Sequence, residues 1–198
     1  MSEEAKQARR FVKQKLYLLE QSSNESATRA ILAKLRHGIG KRPGSQPELW
    51  DITLNDLPEA LLSKGLEPTR GEWAIHTALT LYALHQQGKD PKKQSVNSDG
   101  ISLGTAARNL ILSDANNEDA VNRRFNVTVM MDNFGGFCWQ LRGIIQLLKA
   151  KNIAMDYPML TEDLYWFQFP ERQDSIRLKW GQDFYRTVKK EENSSEVK

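Results

Sequence analysis

Thr69-Arg70-Gly71-Glu72-Trp73-Ala74-Ile75-His76-Thr77-Ala78-Leu79-Thr80-Leu81-Tyr82-Ala83-Leu84 is the stretch whose reading decides the fold. Thr69 and Glu72 have the spacing of a capping box, in which a threonine hydroxyl and a glutamate carboxylate satisfy the first free N–H groups of a helix. From Trp73 to Leu84 apolar side chains cover most of the helical circumference, leaving no polar face for water. Such a helix is stable only when other elements surround it, so it is expected to be the central buried one. No stretch on either side shows the sustained alternation of a strand, and no internal repeat is present.

Helical periodicity continues in both directions from this segment. Toward the C-terminus, the polar run from Gly88 through Gly100 reads as an exposed, mobile loop over about 89–100. Helices are then expected at 101–112, 117–131, 134–151, 157–168 and 172–189, with Asn133, Asp156 and Asn116 or Asn117 as caps. The last residues, about 190–198, have one apolar member, Val197, and are expected to fray. Toward the N-terminus, Pro47 and Pro58 suit the first turns of two short helices holding Leu49, Trp50, Leu54, Leu61 and Leu62. A helix over 25–37 would bury Ala27, Ile31 and Leu35 and stop at Gly38. The first helix, from Ser2 as N-cap to about Glu20, would bury Ala8, Val12, Leu16 and Leu19. The expectation is an all-α fold, a compact helical bundle of about eight to ten helices forming one domain over 1–198.

Charge is segregated along this chain. The net charge is only +3, yet residues 1–42 carry ten Lys/Arg against four Asp/Glu, and residues 43–72 carry two against six. Residues 141–190 are again basic, nine against six. Lys6, Arg9, Arg10 and Lys13 fall on one helical stripe, and Arg172, Lys179, Arg186 and Lys190 fall on another. Cationic stripes suit a polyanion whose phosphates repeat along a line, and the acidic middle suits a basic partner protein. Arg36, Lys41 and Arg42 sit at a helix end and on a glycine-rich loop whose free N–H groups can also hold phosphate. Arg123 and Arg124, and Arg142 with Lys149 two turns further along its helix, are further candidates.

Other chemistry finds little support. Gly100-Ile101-Ser102-Leu103-Gly104 matches G-x-S-x-G, but a nucleophile elbow needs a preceding strand, and a polar loop stands there instead. Ser102 is expected to open a helix. The loop over 38–44 lacks the spacing of a nucleotide-hydrolysing loop. His37, His76 and His85 never fall at a metal-ligand spacing, and no cysteine pair accompanies them, so neither a metal nor a cofactor is expected. His76 reads as a hydrogen-bonded core or interface residue. Cys138, between Phe137 and Trp139, reads as buried packing. Trp50, Trp73, Trp139, Trp166 and Trp180 lie among apolar helix positions and are expected in the core. No apolar run approaches a membrane span and the start lacks the core of a signal peptide, so a cytoplasmic protein is expected.

Several segments taken together are familiar. Leu35-Arg36-His37-Gly38-Ile39-Gly40-Lys41, the helix from Gly71 to Gln86, Ser102-Leu103-Gly104, Arg123-Arg124-Phe125, Leu141-Arg142-Gly143 and Leu178-Lys179-Trp180-Gly181-Gln182-Asp183-Phe184-Tyr185 occur in this order. In that arrangement the chain resembles the CasB family, the small subunit of the type I-E CRISPR surveillance complex called Cascade, over roughly residues 10–188. The resemblance implies an all-helical, non-enzymatic subunit present as a second copy of itself within the complex, beside other Cascade subunits with guide RNA. It implies positive surface that helps to hold target and displaced DNA strands during strand opening. Carried over by position, the nucleic-acid-binding candidates are Arg36, Lys41, Arg108, Arg123, Arg124, Arg142 and Lys179. Lys6, Arg9, Lys89, Lys92 and Lys93 lie in less characteristic segments and are candidates by charge alone. The alternative is a helical adaptor whose basic faces meet acidic protein partners, with no direct DNA role. Reversing Arg123 and Arg124 to Glu separates the two, abolishing target DNA retention in the first case and assembly in the second.

Overall fold

The expected capping box forms: Thr69 Oγ1 accepts from the Glu72 N–H at 3.0 Å and the Glu72 carboxylate accepts from the Thr69 N–H at 2.7 Å. In the computed structural model, which describes residues 3–186, this box opens the fourth of nine α-helices among the described residues. They are α1 (Glu3–Gln21), α2 (Glu25–His37), α3 (Trp50–Thr53), α4 (Arg70–His85) and α5 (Leu103–Ser113). After them come α6 (Glu118–Val129), α7 (Phe134–Lys151), α8 (Tyr157–Phe167) and α9 (Pro170–Tyr185). Short 3-10 turns occupy Pro47–Leu49, Glu59–Leu61 and Ala115–Asn117. The all-α bundle is borne out, and the described residues hold no strand beyond a single bridge between Asn97 and Met155.

Every residue of α4 from Ala74 to His85 is buried, because α1, α2, α7 and α8 enclose it. Each fully buried Ile or Leu there, such as Ile75 and Leu79, contributes about 1.5–3 kcal/mol of transfer free energy. Beyond this layer α5 packs on α9 and α7, and α6 packs on α7. The α5–α9 contact is very close. A Cβ on Gly104 would lie 2.1 Å from the Trp180 carbonyl oxygen and 3.0 Å from the Phe184 nitrogen, so only glycine fits. Behind it Phe137, Phe167 and Trp180 pack ring on ring, with centroids 4.3–5.6 Å apart. The Trp180 indole N–H donates to Asp163 at 2.8 Å, and Lys179 reaches the other carboxylate oxygen at 2.6 Å. Burial pushes the Asp163 carboxyl above its ordinary value, and the neighbouring lysine opposes that rise.

Several local expectations are corrected. Helix α2 buries Thr28, Leu32 and Leu35, while Ala27 is exposed and Ile31 half-buried. Its inward face is turned because α4 meets it from that side. Of the five tryptophans only Trp180 is fully buried; Trp50 is 48% and Trp139 67% exposed. The segment over 89–100 is exposed from Lys92 to Ser95, yet it buries Pro91 and Val96. Gln86 fastens it by donating to the Gln94 carbonyl at 2.9 Å and accepting from the Val96 N–H at 3.0 Å. Farther along, Asn97 Oδ1 accepts from the Tyr157 N–H and Asp156 accepts from the Gly100 N–H. Asn133 and Asp156 cap α7 and α8 as expected, whereas Asn117 makes no side-chain cap bond. The Ser2 cap, the last residues of the helix expected over 172–189, Lys190 and the tail over 190–198 lie outside the described residues.

Candidate nucleic-acid interface

One outward stripe of α7 collects the chemistry. Gly135, Trp139, Arg142, Gln146 and Lys149 recur at spacings of four, three, four and three, which keeps them on one side of an α-helix. Phe137, Leu141, Ile144, Ile145 and Leu148 face the core on the other side. Asn133 opens the helix by accepting from the Gly136 N–H at 2.6 Å. The Arg142 guanidinium lies over the Trp139 ring, 5.5 Å from its centroid. The Lys149 ammonium donates to Gln87 at 2.8 Å, which ties α7 to the turn that ends α4.

That turn carries Lys89, and across from it α2 presents Arg29 and Arg36, seven residues apart on one face. A concavity of about 300 Å³ brings Arg29, Arg36, Gln87 and Lys89 together, with Asp90 at its edge. The loop after α2 then presents Lys41. It is anchored because Gly38 packs closely on Leu49, a Cβ falling 2.6 Å from Leu49 Cδ1, and because His76 Nε2–H donates to the Gly38 carbonyl at 2.9 Å. Gly40, at φ +72°, supplies the left-handed turn that exposes Lys41. Lys41 and Arg142 both border a cavity of about 220 Å³ between this loop, α4 and the start of α7. Arg36, Lys41, Lys89, Arg142 and Lys149 thus form a cationic track running along α4 from the cavity to its C-terminal turn. The ion pairs of the described residues involve other cations, not these five.

Their mutual field is visible in neighbouring groups. Partial burial and the charge of Lys149 hold the Lys89 ammonium below its ordinary value. Beneath them His85 is fully buried, its Nδ1 3.0 Å from the Tyr157 hydroxyl. Burial first, and then the charge of Lys89, push its pKa from 6.5 down to about 4. Between those values the unfolded chain binds a proton that the folded chain refuses, so stability falls as pH drops from 6.5 toward 4. The loss attributable to His85 is at most about 3 kcal/mol. A His85→Gln variant is expected to flatten this limb of the unfolding free energy measured against pH; parallel limbs for variant and parent would refute the assignment.

The remaining candidates are placed elsewhere or otherwise engaged. Arg42 pairs with Glu67 at 3.0 Å and donates to the Leu66 carbonyl, joining the basic loop to the acidic segment. Arg108 is half-buried on α5. Arg123 and Arg124 are exposed on α6, and Arg124 extends toward the track, its guanidinium lying where a side chain on Gly143 would stand. Lys179 is committed to Asp163. The α1 stripe is largely neutralised, with Arg9 on Glu162, Arg10 on Glu3 and Lys13 on Asp99. Of the second stripe, Arg172 lies over Trp166 and Arg186 pairs with Asp183. Arg177, not singled out by the sequence, holds the α6–α7 connection through the carbonyls of Val129 and Met131 and the carboxylate of Asp132. Arg29, beside Arg36 in the concavity, is paired with Glu25 at 3.2 Å.

Ser102 caps α5, its hydroxyl accepting from the Thr105 N–H at 3.2 Å. His76 is buried and hydrogen-bonded as expected. Cys138 is half-buried at the cavity rather than enclosed, with burial pushing its thiol up to about 12. No group of three or more metal-ligating side chains occurs among the described residues, and no helix there is long and apolar enough to cross a membrane.

Comparison with known proteins gives this helical arrangement a family. The model of the family described as CRISPR-associated protein Cse2 matches residues 31–185. The chain is similar to CasB from Thermobifida fusca, with a TM-score of 0.75 and 29% identity over 91% of this chain and 98% of that one. A CRISPR-associated protein of the Cse2 family from Thermus thermophilus shares the fold, with a TM-score of 0.63 and 22% identity over 93% and 99% of the two chains. No curated protein matches the chain by sequence. Because the family match runs from the middle of α2 to the last residue of α9, the chain belongs to the Cse2 family of CRISPR-associated proteins, also called CasB.

Proposed function

We propose that this protein is a non-catalytic small subunit of the Cascade complex whose track of Arg36, Lys41, Lys89, Arg142 and Lys149 holds nucleic-acid backbone. The observation that carries this reading is the gathering of five cations from α2, the loop after it, the turn after α4 and α7, none of them in an ion pair among the described residues. Phosphates are the complement of such a surface, and contacts to them carry no sequence information. In an RNA-guided complex none is required, because base pairing to the guide selects the target. The heteroduplex formed is about as stable as the duplex opened, so a few phosphate contacts suffice to favour the open state. Arg124, beside Gly143, extends the track, and Arg123 lies next to it on the same helix.

Co-purification with the other Cascade subunits and guide RNA, with and without target DNA, tests this reading. Stable incorporation together with stronger retention of target DNA is expected. Incorporation with no effect on DNA retention would favour the adaptor reading, in which basic faces meet acidic protein surfaces. Failure to incorporate would overturn both.

A further inference from the structure

We infer that the cavity between the 39–41 loop, α4 and the start of α7 receives one unstacked base of a single strand, whose phosphate is held by Lys41 and Arg142 at the rim. This rests on the reading of the surrounding track as a phosphate surface. The cavity, about 220 Å³ in volume, corresponds to about seven water molecules of liquid, so it takes a ring rather than a single solvent molecule. Its walls are aromatic. Trp73 and Phe134 meet edge to face at 6.2 Å, and Trp139 stands at the mouth, 67% exposed and carrying the Arg142 guanidinium on its ring. An indole left in water beside a guanidinium adds little to a core and is suited to stacking a base, every base having a π face.

One further feature favours a nucleotide over a hydrocarbon side chain. Gly135, at the positive end of the α7 dipole, borders the same cavity as Lys41 and Arg142, so the rim favours an anion.

The test compares two single-stranded oligonucleotides of equal length and charge, one carrying bases and the other abasic, binding to the full chain by fluorescence anisotropy. The oligonucleotide with bases is expected to bind about tenfold more tightly, within the range of one stacked base. Trp139→Ala should erase that difference while leaving the salt dependence of both unchanged, and Trp139→Phe should restore most of it. Equal binding of the two oligonucleotides, or an equal loss for both in Trp139→Ala, would overturn the inference while leaving the phosphate track standing. If Trp139→Ala instead spares the base-dependent difference but prevents incorporation into the complex, the cavity holds a partner protein and the inference is also wrong. Absence of salt-dependent binding by either oligonucleotide would remove the track reading and this one together.

Discussion

Reversing Arg142 and Lys149 to Glu is expected to weaken single-stranded DNA binding about twenty- to a hundredfold at 0.1 M salt, with thermal unfolding little changed. Both residues stand on the outward stripe of α7, and neither is paired to a described carboxylate, so their replacement leaves no buried charge alone. For single strands the logarithm of affinity falls with the logarithm of salt by about 0.7 per neutralised phosphate. A five-cation track therefore loses affinity by about a hundredfold between 50 and 200 mM salt, and removing two contacts lowers the slope by about 1.4. Reversal adds repulsion to the lost contacts. Lys13→Gln, at a cation already paired with Asp99, should leave the slope unaltered. An unaltered slope in the Arg142 and Lys149 double variant, or an equal loss in Lys13→Gln, would sink the assignment of the track.

The largest effect on stability is expected at Gly104. Its Cβ position lies 2.1 Å from a backbone carbonyl of α9 and 3.0 Å from a backbone nitrogen, and neither atom can swing aside as a side chain can. Gly104→Ala must push α5 away from α9 or draw Trp180, the α9 member, off its stack on Phe137 of α7 and Phe167 of α8. Forcing one methyl into such a contact costs about 3 kcal/mol or more, at or beyond the upper end for overpacking. Ser102→Ala removes one cap bond and should cost only about 1 kcal/mol. Gly100 has φ +84°, and an alanine there costs about 1–2 kcal/mol for a left-handed backbone. Chemical denaturation of the three variants should rank Gly104→Ala far below the other two. A milder effect at Gly104 than at Ser102 would contradict the packing account of this G-x-S-x-G segment.

Those same three residues show how far sequence reading reaches. The polar loop before Ser102 is enough to expect a helix cap instead of a nucleophile, because the requirement is local. Nothing local shows that Gly104 touches α9 nearly eighty positions later. The central helix is legible for the same reason that the cap is: apolar residues around a whole helix have only one stable environment. The inward face of α2 is not legible, since the choice between Ala27 and Thr28 is made by the direction from which α4 approaches. Cationic candidates divide in the same way. Residue type and helical spacing nominate Arg142 and Lys149 together, whereas the pairing of Lys179 with Asp163 and of Arg42 with Glu67 depends on contacts between elements. Lys89 becomes a stronger candidate only once Gln87 is seen to join its turn to α7.

Helix α4 has one more consequence, for the entropy of binding. The helix-borne and turn-borne cations belong to segments that pack against this fully enclosed helix or continue directly from it, so the backbone spacing between Arg36, Lys89, Arg142 and Lys149 is set before any ligand arrives. A flexible basic tail of equal charge must surrender its own chain freedom to match a strand. Here that loss has already been met by folding, and only side-chain rotamers and the incoming strand remain to be ordered. A strand drawn across such a surface is accordingly aligned to a fixed ruler, in which α7 alone sets two charges about 10.5 Å apart along its axis.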